Sequence, residues 1–182
     1  GSLIMANDLI ATKIDDIQKE ADTINPDYLI VDTPGQIELF AYRQSGPFFV
    51  NEFIAEEKMN LFLFDGTMVS TPENFVSLTL LSTSIRLRLG LPTVNVITKT
   101  DLIQEKLEKV LSWSGTDSQL EADLAGEVNG DTFSLISDML SSLNRHDFQQ
   151  DLIPVSNATG DGMVNLQSAL SRTINLGEEI ED

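Results

Sequence analysis

Three short polar segments of the chain contain side chains that suit a binding or catalytic site. The first, residues 32–36, reads D-T-P-G-Q. In a site that hydrolyses phosphates, Asp32 can hold a water of a Mg²⁺ shell, and Gly35 lets its own N–H approach a terminal phosphate because no side chain intervenes. Gln36 can orient an attacking water. An ordinary Pro-Gly turn after a strand explains the same residues, so this segment alone leaves both interpretations open.

The second segment, residues 98–101, reads T-K-T-D and begins with Thr98. The carboxylate of Asp101 can accept two hydrogen bonds, from the N1–H and the exocyclic amine of guanine, a donor pair that adenine lacks. The methylene stem of Lys99 can lie over the plane of the base. The alternative is a helix start, with Asp101 near the N-terminus of the next helix.

The third segment contains Ser156, Asn157 and Ala158 and follows a short apolar run. Its backbone N–H groups can reach the O6 acceptor of guanine, although the segment taken alone favours a simple strand-to-helix connection. The order of the three segments along the chain matches hydrolysis, base recognition and base backing. That order favours a guanine-nucleotide site over three unrelated loops.

These segments need elements that bring them together. Four short apolar runs each end at a polar loop, and helical patterns lie between them. Alternation of strand and helix predicts an α/β fold in which a parallel sheet carries helices on both faces, so that the polar loops gather at the carboxyl ends of the strands. The predicted strands are 28–31, 60–64, 93–97 and 152–155, and the predicted helices are 3–18, 45–57, 73–89, 102–113 and 161–175.

The predicted organisation is a single α/β domain over residues 1–177. Residues 114–149 interrupt the alternation and are expected to form a helical insertion between the third and fourth strands. Residues 178–182 form an acidic tail.

The charge and the Cys and His content of the chain exclude several classes of function. The 182 residues include 29 Asp or Glu and 11 Lys or Arg, a formal charge of −18, which is unsuited to tracking a nucleic-acid backbone. The chain has no Cys, which excludes disulfides, thiolate zinc sites and cysteine catalysis, and its single His excludes histidine-rich metal sites. The sequence contains no long apolar run and no secretory signal, so we expect no membrane partner and a cytoplasmic location.

The extended first segment, D-T-P-G-Q-I-E at 32–38, resembles switch II of a P-loop GTPase, and the other two segments resemble its guanine-specificity and base-backing motifs. The form that includes Gln36 and Glu38 is similar to the GPN-loop GTPases. The resemblance implies GTP or GDP as ligand, Mg²⁺ as cofactor held through water by Asp32, and hydrolysis in which Gln36 and Glu38 organise water. It also implies a homodimer and, for eukaryotic members, a protein client in RNA polymerase assembly.

One family motif is absent from this sequence. A phosphate-binding loop needs a glycine directly before a lysine, and none of the six lysines has one. We therefore expect a P-loop NTPase-like fold that is incomplete at its N-terminus, with weak GTP binding and negligible hydrolysis by this chain. Two alternatives stay open: a pseudo-GTPase or protein-interaction module without hydrolysis, and a flavodoxin-like α/β protein with chance motifs.

Overall fold

A computed structural model describes residues 2–33, 35, 37–69, 71–114, 119–145 and 152–178. These residues form α-helices, a short 3-10 helix and parallel strands. No described helix combines the length and the apolar character needed to cross a bilayer. The elements in chain order are α1 (Ser2–Ile24), α2 (Ile37–Tyr42), α3 (Ser45–Glu52), β1 (Asn60–Asp65), α4 (Pro72–Leu89), β2 (Thr93–Thr98), the 3-10 helix Thr100–Leu102, α5 (Gln104–Leu111), α6 (Leu120–Leu124), α7 (Gly130–Arg145), β3 (Ile153–Pro154) and α8 (Met163–Glu178).

The chain divides into two compact units. The first comprises Gly1–Lys58 with Ile85–Gly90, and the second comprises Met59–Ser84 with Leu91–Asp182. The single domain expected over 1–177 stays a prediction. Helices α6 and α7 lie within the stretch for which a helical insertion is predicted.

The second unit contains a parallel sheet in the order β1-β2-β3. Side chains alternate between the two faces of β2, so Val94 and Val96 share one face, where they pack with Val155, which directly follows β3, and with Ala169 of α8. On the other face, Asn95 accepts a hydrogen bond from Ser82 of α4, with 2.6 Å between Oγ and Oδ1. Helices therefore cover both faces, which confirms the predicted α/β class.

Aromatic side chains fill the face that α4 covers. The ring of Phe64 on β1 lies 6.2 Å from that of Phe75 on α4, and Phe75 lies 5.8 Å from Trp113. All three side chains are buried. Burial on this scale stabilises by about 1.5–3 kcal/mol for each large apolar side chain, and it fixes the end of β1 from which the polar loop departs.

The first unit is helical. Phe40, Phe49 and Phe53 form its buried centre, against which Ile14 and Ile17 of α1 pack. The close approach of α2 and α3 at Gly46 requires a residue without a side chain, because a Cβ there would lie 2.0 Å from the carbonyl oxygen of Phe40.

The strand predicted at residues 28–31 is wrong. These residues form no strand and are exposed, with Tyr28 at 68% and Ile30 at 88% of their full accessibility. An extended segment becomes a strand only when a neighbour takes its backbone hydrogen bonds, and an apolar run in a sequence does not reveal whether that neighbour is present. The other three predicted strands are confirmed as β1, β2 and β3 within one or two residues at each end.

Candidate guanine-recognition site

The carboxyl ends of the three strands bring two of the predicted segments together in the second unit. Thr98 ends β2, and its Oγ1 donates a hydrogen bond of 3.2 Å to the carbonyl of Phe64 on β1. The N–H of Gly66 donates to the carbonyl of Thr98 at 3.1 Å, and the N–H of Thr100 donates to the carbonyl of Val155 at 3.3 Å. Backbone hydrogen bonds therefore tie the 98–101 loop to the strand ends on either side.

Asp101 and Ser156 meet directly. The Ser156 hydroxyl donates a 2.6 Å hydrogen bond to Oδ1 of Asp101, and it accepts one of 3.2 Å from the N–H of Thr159. Ser156 is 1% exposed, so water does not compete for its hydroxyl. An ionised carboxylate has about four acceptor positions. One hydrogen bond orients Asp101 and leaves it able to accept two more from a ligand.

Lys99 has an unusual backbone conformation. Its φ is 57°, in the left-handed region that residues with a side chain rarely adopt. Its Nζ lies 2.6 Å from Oδ2 of Asp65, the last residue of β1. Asp65 also accepts hydrogen bonds at Oδ1 from the N–H and the hydroxyl of Thr67, at 3.0 and 2.7 Å. The hydrogen bond from Lys99, followed by those from Thr67, holds the pKa of Asp65 below its ordinary value of 3.8.

Sequence reasoning assigned no role to Asp65 and Thr67. Their position in the chain could have indicated them. Asp65 and the glycine after it stand at the carboxyl end of a predicted strand, and that strand lies next to the one that carries the 98–101 loop.

The third loop is a tight turn. The N–H of Ser156 donates to the carbonyl of Asp161 at 3.0 Å, and the N–H of Gly160 donates to the carbonyl of Ser156 at 2.9 Å. The predicted base-backing N–H of Ser156 is therefore already engaged within the loop. Asn157 and Ala158 are exposed, and no hydrogen bond within the described part of the chain uses their N–H groups. Both groups are therefore available as donors to a ligand.

The first predicted segment belongs to the other unit. Asp32 is exposed, and a Cβ added to Gly35 would meet, chain neighbours aside, no atom of the described residues within 4 Å. Gln36 and the side chain of Glu38 fall outside the described residues. Among the described residues no three acidic, His or Cys side chains cluster as a metal site. Asp32 offers one carboxylate, a donor set that fits a Mg²⁺ held mainly by the phosphates of a nucleotide.

A cavity of about 210 Å³ borders Asp101 and lies between the start of α5 and the loop that precedes α8. Sites that enclose a drug-sized ligand measure roughly 300–1,000 Å³. Within the described second unit, therefore, this cavity is too small to enclose a whole nucleotide. The residues predicted to recognise the base, Asp101 among them, lie at the carboxyl ends of β2 and β3.

Comparison with known proteins gives consistent matches. A family model described as a conserved hypothetical ATP binding protein matches residues 1–176. The chain is 31% identical over 170 residues to GPN-loop GTPase QQT2 of Arabidopsis thaliana, covering 90% of this chain and 43% of that protein. It is 26% identical over 186 residues to GPN-loop GTPase 3 of Eremothecium gossypii, covering 100% of this chain and 69% of that protein.

A solved structure has the same fold. It is a GTPase in apo form from Pyrococcus abyssi, with a TM-score of 0.79 and 21% identity, over 95% of this chain and 70% of that chain. The predicted P-loop NTPase-like fold is thereby confirmed, and its expected incompleteness at the N-terminus stays a prediction. The chain spans about half the length of the Arabidopsis relative and of GPN-loop GTPase 1 of Saccharomyces cerevisiae, to which it is 27% identical.

Proposed function

The chain belongs to the GPN-loop GTPase family, and from that membership we propose that it recognises the guanine end of GTP or GDP in a protein that hydrolyses GTP. The observation that supports this proposal best is the contact between Asp101 and Ser156. It holds a carboxylate at the carboxyl edge of a parallel sheet, with acceptor positions left for two donors.

The proposed base recognition follows from donor and acceptor chemistry. Guanine presents two adjacent N–H donors, at N1 and at the exocyclic amine, which pair with the carboxylate of Asp101. Its O6 acceptor faces the N–H groups of Asn157 and Ala158. Adenine offers an acceptor at N1 and no amine at C2, so it would leave the carboxylate facing a lone pair, a mismatch that costs roughly 10⁴-fold or more in sites built on polar pairing.

The proposed hydrolysis is in-line attack of water on the γ-phosphate. Bound Mg²⁺ neutralises the charge that develops on the phosphate oxygens during such a transfer. Asp32 would hold a water of the Mg²⁺ shell, the N–H of Gly35 would contact the γ-phosphate, and Gln36 with Glu38 would position the attacking water. These roles come from the family resemblance and from the exposure of Asp32 and the open space at Gly35.

Partners and location are part of the same proposal. Family membership supports a homodimer and a protein client, and the composition supports a cytoplasmic protein that does not bind nucleic acid. A second candidate is a pseudo-GTPase that keeps base recognition and does not hydrolyse GTP; a full natural reading frame without a phosphate-binding loop would favour it.

Calorimetry on the protein expressed from its full natural reading frame separates these functions. With Mg²⁺ present we expect affinity to fall from GDP to inosine diphosphate, which lacks the exocyclic amine, and to fall further for ADP. Phosphate release from GTP, abolished in a Gln36→Ala variant, would support hydrolysis. GDP preference without phosphate release would favour the pseudo-GTPase, and equal affinity for GDP and ADP would overturn both.

A further inference from the structure

Lys99 is tied across two neighbouring strands. The register of the sheet places Thr98, the last residue of β2, opposite Asp65, the last residue of β1. Lys99 follows Thr98, and its ammonium group reaches sideways to the Asp65 carboxylate at 2.6 Å. The side chain is thus fixed at its backbone end by β2 and at its charged end by β1.

Asp65 is itself held in place. Both donors of Thr67 bind Oδ1, whereas Lys99 binds Oδ2, so each carboxylate oxygen has its own partner. The Asp65 side chain is 30% exposed and that of Lys99 is 53% exposed. Asp65 is therefore the more buried member of the ion pair, and Lys99 is the more accessible one.

The backbone of Lys99 supports the same arrangement. The left-handed conformation is costly for a residue with a side chain and persists where neighbouring contacts enforce it. Two such contacts flank Lys99, from the N–H of Gly66 to the carbonyl of Thr98 and from the N–H of Thr100 to the carbonyl of Val155. The backbone sets the direction in which the side chain leaves the loop, and Asp65 sets where it ends.

We propose that Asp65 is a positioning residue of the guanine site, which acts by holding the methylene stem of Lys99 as a ready-made surface for the base. This inference rests on the proposed function. A free lysine samples many rotamers, and a base that packs on it must immobilise it at a cost in entropy. If the Lys99 side chain is already held at both ends before the nucleotide binds, much of this entropy cost is avoided. Affinity for the nucleotide then rises without any new contact to it.

The experiment is GDP titration with Mg²⁺ by calorimetry, using the protein from its full reading frame. Asp65→Ala should weaken GDP binding about fivefold. At about 1.4 kcal/mol per factor of ten this equals about 1 kcal/mol, which is at the upper end of the range for a partly exposed ion pair. Asp65→Asn should weaken it less, since the amide oxygen still accepts from the ammonium. Asp16→Asn is the matched control, because it removes one carboxylate from an exposed Lys-Asp pair on α1 with a 3.1 Å separation. It should leave GDP affinity unchanged.

A double-mutant cycle distinguishes positioning from a general structural role. If Asp65 acts through Lys99, Asp65→Ala should have no further effect on GDP affinity in a Lys99→Ala background. Tighter GDP binding by Asp65→Ala would mean that the ion pair restrains Lys99 away from the ligand, and would overturn the proposal. Additive effects of the two substitutions would overturn it as well.

Two further comparisons complete the test. Wild-type protein that does not prefer GDP to ADP would overturn the proposed function, whereas a GDP preference with unchanged affinity in Asp65→Ala would overturn only the role of Asp65. Should Asp65→Ala not fold, Thr67→Val removes one hydroxyl donor to Asp65 and should weaken GDP binding about twofold. Unchanged affinity in both Asp65→Asn and Thr67→Val would then contradict the proposal.

Discussion

Removing the hydroxyl of Ser156 tests how Asp101, the carboxylate proposed to recognise guanine, is held in place. In Ser156→Ala, Asp101 loses a 2.6 Å hydrogen bond and the N–H of Thr159 loses its acceptor. A hydrogen bond to a charged group contributes about 1.5–3 kcal/mol, and a neutral one contributes about 1 kcal/mol. Because Asp101 is only partly buried, water compensates for part of the loss. We expect unfolding free energy to fall by about 1–2 kcal/mol.

The assay is urea unfolding of the wild-type and variant chains, followed by GDP titration on the full reading frame. Ser168→Ala on α8 is the matched control, since its exposed hydroxyl donates to the carbonyl of Val164 within the same helix at 2.9 Å. Alanine is the better helix former, so that variant should be unchanged or stabilised by about 0.5 kcal/mol.

Guanine preference gives the second readout of Ser156→Ala. A carboxylate that is no longer oriented should bind GDP less tightly while the phosphate end is unaffected, so the ratio of GDP to ADP affinity should fall about tenfold, by the loss of about 1.4 kcal/mol. A variant with wild-type stability and a wild-type affinity ratio would refute the reasoning that Ser156 orients Asp101.

Two further predictions concern glycine and acid stability. Gly46→Ala should lower the free energy of unfolding by about 3 kcal/mol, because the new Cβ would clash with the carbonyl of Phe40. Gly35→Ala should leave urea unfolding unchanged and slow GTP hydrolysis by the protein from its full reading frame. Lys99 lowers the pKa of Asp65 in the folded state, so the ionised carboxylate should add less than about 1 kcal/mol to the free energy of unfolding. This stabilisation should be present in full above about pH 4 and should be lost as the pH falls further. The difference in unfolding free energy between wild type and Asp65→Asn should therefore be constant from pH 5 to 8 and shrink below pH 4; a difference that grows with acid would contradict this assignment.

The sequence predicts the second unit well because its signals are local. Apolar runs at 60–64 and 93–97 end abruptly at polar residues, and each strand forms with a neighbour that is encoded nearby in the chain. The contact between Asp101 and Ser156 joins residues 55 positions apart, yet parallel topology places both at the same edge. That is why motif order succeeded in pairing them.

The conformation of residues 28–31 and the ion pair of Lys99 could not be predicted, because both depend on contacts between distant parts of the chain that a single sequence does not reveal. The run at 28–31 has the composition of a buried strand, but strand formation depends on a pairing partner. The ion pair between Asp65 and Lys99 depends on strand register and on a left-handed backbone at Lys99, neither of which composition indicates. The roles predicted for Gln36 and Glu38 stay predictions, since those side chains fall outside the described residues.

The central claim is that Asp101 reads guanine, and Asp101→Asn tests it most directly. An amide at this position offers both an acceptor and a donor, which matches xanthine, whose C2 carries an oxygen in place of the amine. In the protein from its full reading frame, calorimetry with Mg²⁺ should show that Asp101→Asn loses affinity for GDP and gains affinity for xanthosine diphosphate, so that the preference reverses. Retention of the wild-type preference for GDP in Asp101→Asn would contradict the account.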